Sequence, residues 1–289
     1  MPAKKETIDE QDVISWVLHA LKIVIGDESI REEILMHYHP GLHRGNITKL
    51  RKIDSKNHKN HAFTFDAFVD FSQDDAIEKK NNEMRKYLSE IINMNGTIVF
   101  TATNVQRDED DFETHFQTFI VDNDDKIVYA IDPAYDKTVV KTKKSKNILA
   151  SGQGIYYAEV AHETVKPFFE SHQYAFKLIP LSSPAQIAYD DVFCQSWSLY
   201  ILNSVLEKDK DGIPIYKNIE EFQIPESQIE KYSVILEFYK KIFKGIPSLK
   251  KYLKTEYDGE INDAMVEDSP FLKVNPSKIL LSMTKEDMQ

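Results

Sequence analysis

The chain is 289 residues long and carries 47 acidic against 36 basic side chains, a net charge of −11. That balance argues against a general duplex-binding surface, which needs clustered Lys and Arg to neutralise phosphates. No apolar run approaches the roughly 18 residues of a membrane span, and the single cysteine excludes an intramolecular disulfide or a Cys-based zinc site within one chain.

Taken in chain order, residues 8–26 carry Val13, Ile14, Trp16, Val17, Leu18, Leu21, Ile23 and Val24 at helix-like spacing, with Asp9, Glu10 and Asp12 near the start and Gly26 at the stop. A polar, histidine-bearing stretch follows from about 37 to 61. Its His37, His39, His43, His58 and His61 match no common zinc spacing, and Pro40-Gly41 marks a turn, so no metal site is expected. Residues 84–93 read as a second helix. Strands are then predicted at 97–103, 115–121, 127–132 and 174–181, with a crossover helix over 156–169.

Residues 115–132 read as a β-hairpin whose turn is the polar segment Asp122 to Lys126. His115 and Asp132 then lie near the same end of neighbouring strands, and Pro133 stops the second one because proline cannot donate to a ladder. Lys137, Lys141, Lys143, Lys144 and Lys146 read as a solvated loop. Gly152-Gln153-Gly154 lacks the third glycine and the preceding strand of a dinucleotide fingerprint, and His162 suits a surface or capping role. No cofactor is implied.

Cys194 stands in Asp190-Asp191-Val192-Phe193-Cys194-Gln195-Ser196-Trp197, where an irregular stretch turns into the apolar run Leu199, Tyr200, Ile201, Leu202, Val205, Leu206. A buried cysteine usually packs as a small hydrophobe. One at a helix N-terminus also meets unpaired backbone N–H groups, whose partial positive charge favours a thiolate. Nucleophilic catalysis further needs an imidazole and a group that holds it. His115 and Asp132 supply that pair, although Asp122, Asp124, Asp125 and Asp136 are nearby alternatives for the acid. Trp197, three residues past Cys194, falls on nearly the same helix face and is expected to pack beneath the site. From about 212 the chain reads as largely helical, with Ile229, Tyr232, Ile235, Leu236, Tyr239, Ile242 and Phe243 at helical spacing after Pro225, before a polar tail.

The order His, Asp, Cys, the spacing from His115 to Asp132 and the aromatic Phe116 after the histidine resemble the papain-like clan of adenovirus endopeptidase (adenain) and the SUMO-deconjugating proteases. In that clan the hairpin ends in an acidic residue, often with proline after it in the adenain branch, as in Asp132-Pro133. A glutamine ahead of the cysteine donates to the oxyanion there, and Gln186 in Ser183-Pro184-Ala185-Gln186 fits that place. Many members have Cys-Gly where this chain has Cys194-Gln195. Asp191-Val192-Phe193-Cys194-Gln195-Ser196-Trp197 is similar to a variant of large nucleocytoplasmic DNA viruses.

The resemblance covers roughly residues 97–206. It implies an α+β fold of the papain-like type, a central mixed β-sheet flanked by helices, with residues 96–210 as catalytic core. Residues 1–95 would be a mainly helical extension and 211–289 a helical C-terminal region. It also implies a cysteine endopeptidase or isopeptidase cutting after small residues such as Gly. Its protein substrate would be a viral precursor or a ubiquitin-like conjugate, in the host cytoplasm or the virion; from the charge and the lack of a long apolar run, no nucleic-acid or membrane partner is expected. The alternative from another class is an inactive virion structural or protein-binding module on the same fold.

Overall fold

The structure, a computed structural model, describes residues 28–44, 61–64, 74–108, 111–134, 165–186 and 193–249. The helix expected at 8–26, the lysine-rich loop, Gly152 to Gly154, His162 and the polar tail lie outside these residues. The chain divides into two compact units, one Arg31–Ile224 and the other made of the flanks, Met1–Ile30 with Pro225–Gln289.

In chain order the elements are α1 (Glu28–Tyr38), β1 (His43–Arg44), β2 (His61–Thr64), α2 (Asp74–Ile91), β3 (Thr97–Asp108), β4 (Asp111–Asp122), β5 (Ile127–Ile131), α3 (Lys166–Ser171), β6 (Ala175–Leu178), α4 (Cys194–Leu206) and α5 (Gln228–Gly245). The six strands form one sheet in the order β1-β2-β3-β4-β5-β6. The β3-β4 and β4-β5 pairs are antiparallel and the other three pairs parallel, so the architecture is α+β around a mixed sheet. Residues 31–95 thus contribute two strands to the sheet, and 207–227 carry a 3-10 turn, Ile215–Lys217, where a helical region was expected.

Alternation divides the sheet into two faces. Ile98, Phe100, Phe119, Val121, Val128 and Ala130 form one core with Met84, Leu88 and Ile91 of α2, Phe169 of α3 and Tyr174. The Phe100 and Phe119 rings stack within it at 4.8 Å. On the other face Thr101, Phe116 and Thr118 meet Gln195, Ser198, Leu199 and Leu202 of α4 across a small cavity. Tyr129 packs edge-on against Tyr216 on that face too.

The β4-β5 turn is Asn123 to Lys126, where Lys126 adopts the left-handed region at φ 52°. Asn123 Nδ2 donates to the Ile91 and Met94 carbonyls, at 3.0 and 2.8 Å, and Tyr174 Oη donates to Asn123 Oδ1 at 2.8 Å. One side chain thereby bonds the carbonyls of Ile91, the last residue of α2, and of Met94 just beyond it, and fixes that end of the helix to the hairpin.

In the flanking unit, α5 is capped by Ser227, whose Oγ accepts from the Glu230 N–H and donates to Glu230 Oε2 at 2.6 Å. No helix among the described residues is long and apolar enough to cross a membrane.

Candidate active site

Helix α4 is apolar nearly all round and is buried accordingly, with ten of its thirteen residues out of solvent. Cys194 is its first residue and is 3% exposed. Phe193, the N-cap, offers no side-chain hydrogen bond, and the first i to i+4 bond runs from the Trp197 N–H to the Phe193 carbonyl at 2.9 Å. The helix runs antiparallel to β3. Gln195 shares a cavity with Thr101, whereas Leu206 shares another, of about 540 Å³, with Thr97. Cys194 therefore lies toward the end of the sheet that holds His115, which pairs with Asn104.

Ser198 follows Cys194 by one helical turn, and its hydroxyl donates to the Phe116 carbonyl at 3.2 Å. This bond falls beyond the β4-β5 ladder, whose last pair is Thr118 with Ile131. A strand carbonyl that β5 no longer accompanies is thus satisfied by α4. At the other end of the helix His39 Nε2 donates to Asn203 Oδ1 at 3.0 Å, which ties His39 to α4. Among the described residues no group of His, Cys, Asp and Glu could hold a metal ion.

Asp132 leaves β5 in the position opposite Gln117 and is 7% exposed. Its Oδ2 accepts from Gln117 Nε2 at 2.8 Å and its Oδ1 from the Ala134 N–H at 3.0 Å. The next residue, Pro133, accepts at its carbonyl from the N–H groups of Ala185 and Gln186, at 2.8 and 2.9 Å. That brings the backbone of Gln186 beside the acid. The 180–186 segment is fastened in turn by Phe222 and Ile224: the Phe222 N–H donates to the Pro180 carbonyl, and Ser182 Oγ both accepts from the Ile224 N–H and donates to the Ile224 carbonyl.

The backbone therefore gathers Asp132, Gln186 and the His115 stretch of β4 at one end of the β4-β5 pair. It does not put Asp132 on the side of the sheet that α4 covers. Positions 115, 117 and 132 share the face of Phe119, whereas α4 covers the face of Phe116 and Thr118.

Of the alternative acids, Asp122 and Asp125 are at the opposite end of the hairpin and are both bound to Lys217, at 2.7 and 2.6 Å. Two contributors were not visible in the sequence. Gln117 looked like an ordinary polar residue in an alternating strand, although its position two residues from His115 was a usable signal. Arg31, 4% exposed, places its guanidinium 5.3 Å from the centre of the Phe116 ring, and nothing in a helix of mixed polarity announced it.

No known protein-family model matches the chain, and no curated protein matches it. Among solved structures it is similar to ChlaDub1 from Chlamydia trachomatis, at 10% identity and a TM-score of 0.38 over 75% of this chain and 90% of that one. The Chlamydia abortus effector protein ChlaDUB is similar at 10% identity and a TM-score of 0.33, over 82% and 92%. The Legionella pneumophila effector protein RavZ is similar at 11% identity and a TM-score of 0.34, over 74% of this chain and 61% of that one.

Proposed function

We propose that the chain is a cysteine peptidase or isopeptidase of the papain-like type. Cys194 would be the nucleophile, His115 its base, Asp132 the orienting acid, and Gln186 with the Cys194 N–H the oxyanion donors. One observation carries the reading: the two residues after His115 are each tied to one side of the proposed machinery. The Phe116 carbonyl is bonded to Ser198, one turn from Cys194, and Gln117 is bonded to Asp132.

In this chemistry the imidazole takes the thiol proton and the sulfur attacks an amide carbonyl. The tetrahedral intermediate collapses to a thioacyl enzyme as the amine leaves with that proton, and water hydrolyses the thioester with the imidazole again as base. The relay uses neither metal nor cofactor. The resemblance in the sequence makes the scissile bond one that follows a small residue such as Gly, in a precursor protein or a ubiquitin-like conjugate.

A second reading, a protein-binding module on the same fold, is favoured by the burial of Cys194 and by the separation of Asp132 and α4 onto different faces. Alkylation decides between the two, because one cysteine makes every labelling event report on Cys194. In a peptidase, iodoacetamide labels the folded protein at pH 6.5 and His115→Ala slows labelling by about 10²-fold, the usual scale of base assistance. Gly-containing peptides and ubiquitin-like conjugates are then cleaved by wild type and left intact by Cys194→Ala. Labelling absent from the folded protein, or indifferent to His115, makes Cys194 a packing residue.

A further inference from the structure

We infer that Gln117 is a positioning residue for the acid of this site, an inference that rests on the reading of His115 and Asp132 just given. Strand β4 alternates, so positions 115 and 117 share a face, about 7 Å apart along the strand. Asp132 falls opposite Gln117 one step past the last β4-β5 pair, Thr118 with Ile131. At that point the ladder no longer fixes the chain, and Pro133 follows, which has no N–H with which to continue it.

Two hydrogen bonds take over. Gln117 Nε2 donates to Asp132 Oδ2 at 2.8 Å, and the Ala134 N–H donates to Oδ1 at 3.0 Å. Together they fix the rotation of the carboxylate about its own axis. A carboxylate oxygen accepts two hydrogen bonds, so the amide aims the group without using up its capacity for an imidazole N–H. Both partners are buried, Gln117 at 1% and Asp132 at 7% exposure, so the bond is made where it is strong and water does not compete with it. An amide suits this place better than a cation, since it donates to the acid without neutralising the charge that steadies an imidazolium.

The experiment compares His115-dependent iodoacetamide labelling of Cys194 between pH 5 and pH 8 in wild type, Gln117→Met and Gln117→Glu, with thermal melting to confirm that each folds. Gln117→Met keeps the volume and removes the donor; labelling at pH 6.5 is expected to fall by about tenfold. Gln117→Glu keeps a donor only while its carboxyl is protonated, and two facing carboxylates share a proton more readily at low pH. Its labelling rate relative to wild type is therefore expected to be near one at pH 5 and to fall about tenfold by pH 8. A merely structural role lowers the melting temperature and leaves the relative rate of Gln117→Glu flat with pH. Labelling that falls in His115→Ala but is unchanged in both Gln117 variants, or is depressed equally at every pH in Gln117→Glu, overturns this inference alone. Labelling indifferent to His115 overturns the catalytic reading and this inference with it.

Discussion

In the helical turn that follows Cys194, two buried polar atoms are without a hydrogen-bond partner: Gln195 Oε1 and Trp197 Nε1. Each such atom costs about 1–3 kcal/mol against a solvated state. The Gln195 carbonyl belongs to a side chain at the cavity shared by Thr101, Thr118 and Ser198, where a methionine has the same length and no polar atom to strand. Gln195→Met is therefore expected to stabilise the protein by about 1 kcal/mol, read as a higher urea midpoint at unchanged slope, while the Cys194 labelling rate stays as in wild type. A lower midpoint would mean that the amide has a partner in solution. At this scale Cys194 and Asp132 were legible because each stands at a break in pattern, one before an apolar run and one before a proline. Gln117 was not, because a buried polar residue in an alternating strand has the same sequence signature as one facing water.

The strands that could be read were those with apolar alternation. β3 and β4 were expected at 97–103 and 115–121, yet each runs twelve residues, continuing through Asn104, Gln106, Arg107, Glu113 and Thr114. Those side chains carry no hydrophobic period, and the pairing there is supplied by the backbone ladder between the two strands themselves. The same loss of period hid the first ten residues of α2, from Asp74 to Glu83, and the short edge strands β1 and β2. How α4 joins the sheet could not be read either, since serine in a helix gives no hint of a distant acceptor. The Ser198 bond is one polar link at that junction. Ser198→Ala leaves the Phe116 carbonyl buried without this donor, and the expected cost is about 2 kcal/mol in urea unfolding. A change under about 0.5 kcal/mol would show that water replaces the hydroxyl.

The end of the hairpin remote from the site joins the sheet to the irregular 207–224 segment, and it gives that unit a pH limit. Asp122, 2% exposed, accepts from Lys217 at 2.7 Å, and Tyr216 Oη lies 3.4 Å from both its carboxylate and Thr97 Oγ1. Burial pushes the Tyr216 phenol up to about 12; the Thr97 hydrogen bond opposes this and the Asp122 charge adds to it. For Lys217, burial favours the neutral amine, but hydrogen bonds to Asp122 and Asp125 outweigh it and hold the ammonium above its ordinary value. Both groups keep their protons longer folded than unfolded. The folded state thus binds more protons above pH 10, and stability present below that pH is lost as pH rises toward 12. The phenol accounts for on the order of 2–3 kcal/mol of this loss, from the difference between its raised value and the ordinary tyrosine value of about 10. Tyr216→Phe keeps the ring against Tyr129 and removes the proton. Urea unfolding at steps from pH 9 to pH 11.5 should show wild type losing stability more steeply than Tyr216→Phe, so that the two curves converge. Parallel curves would mean that the phenol titrates normally and that the 207–224 segment leaves the sheet before it ionises.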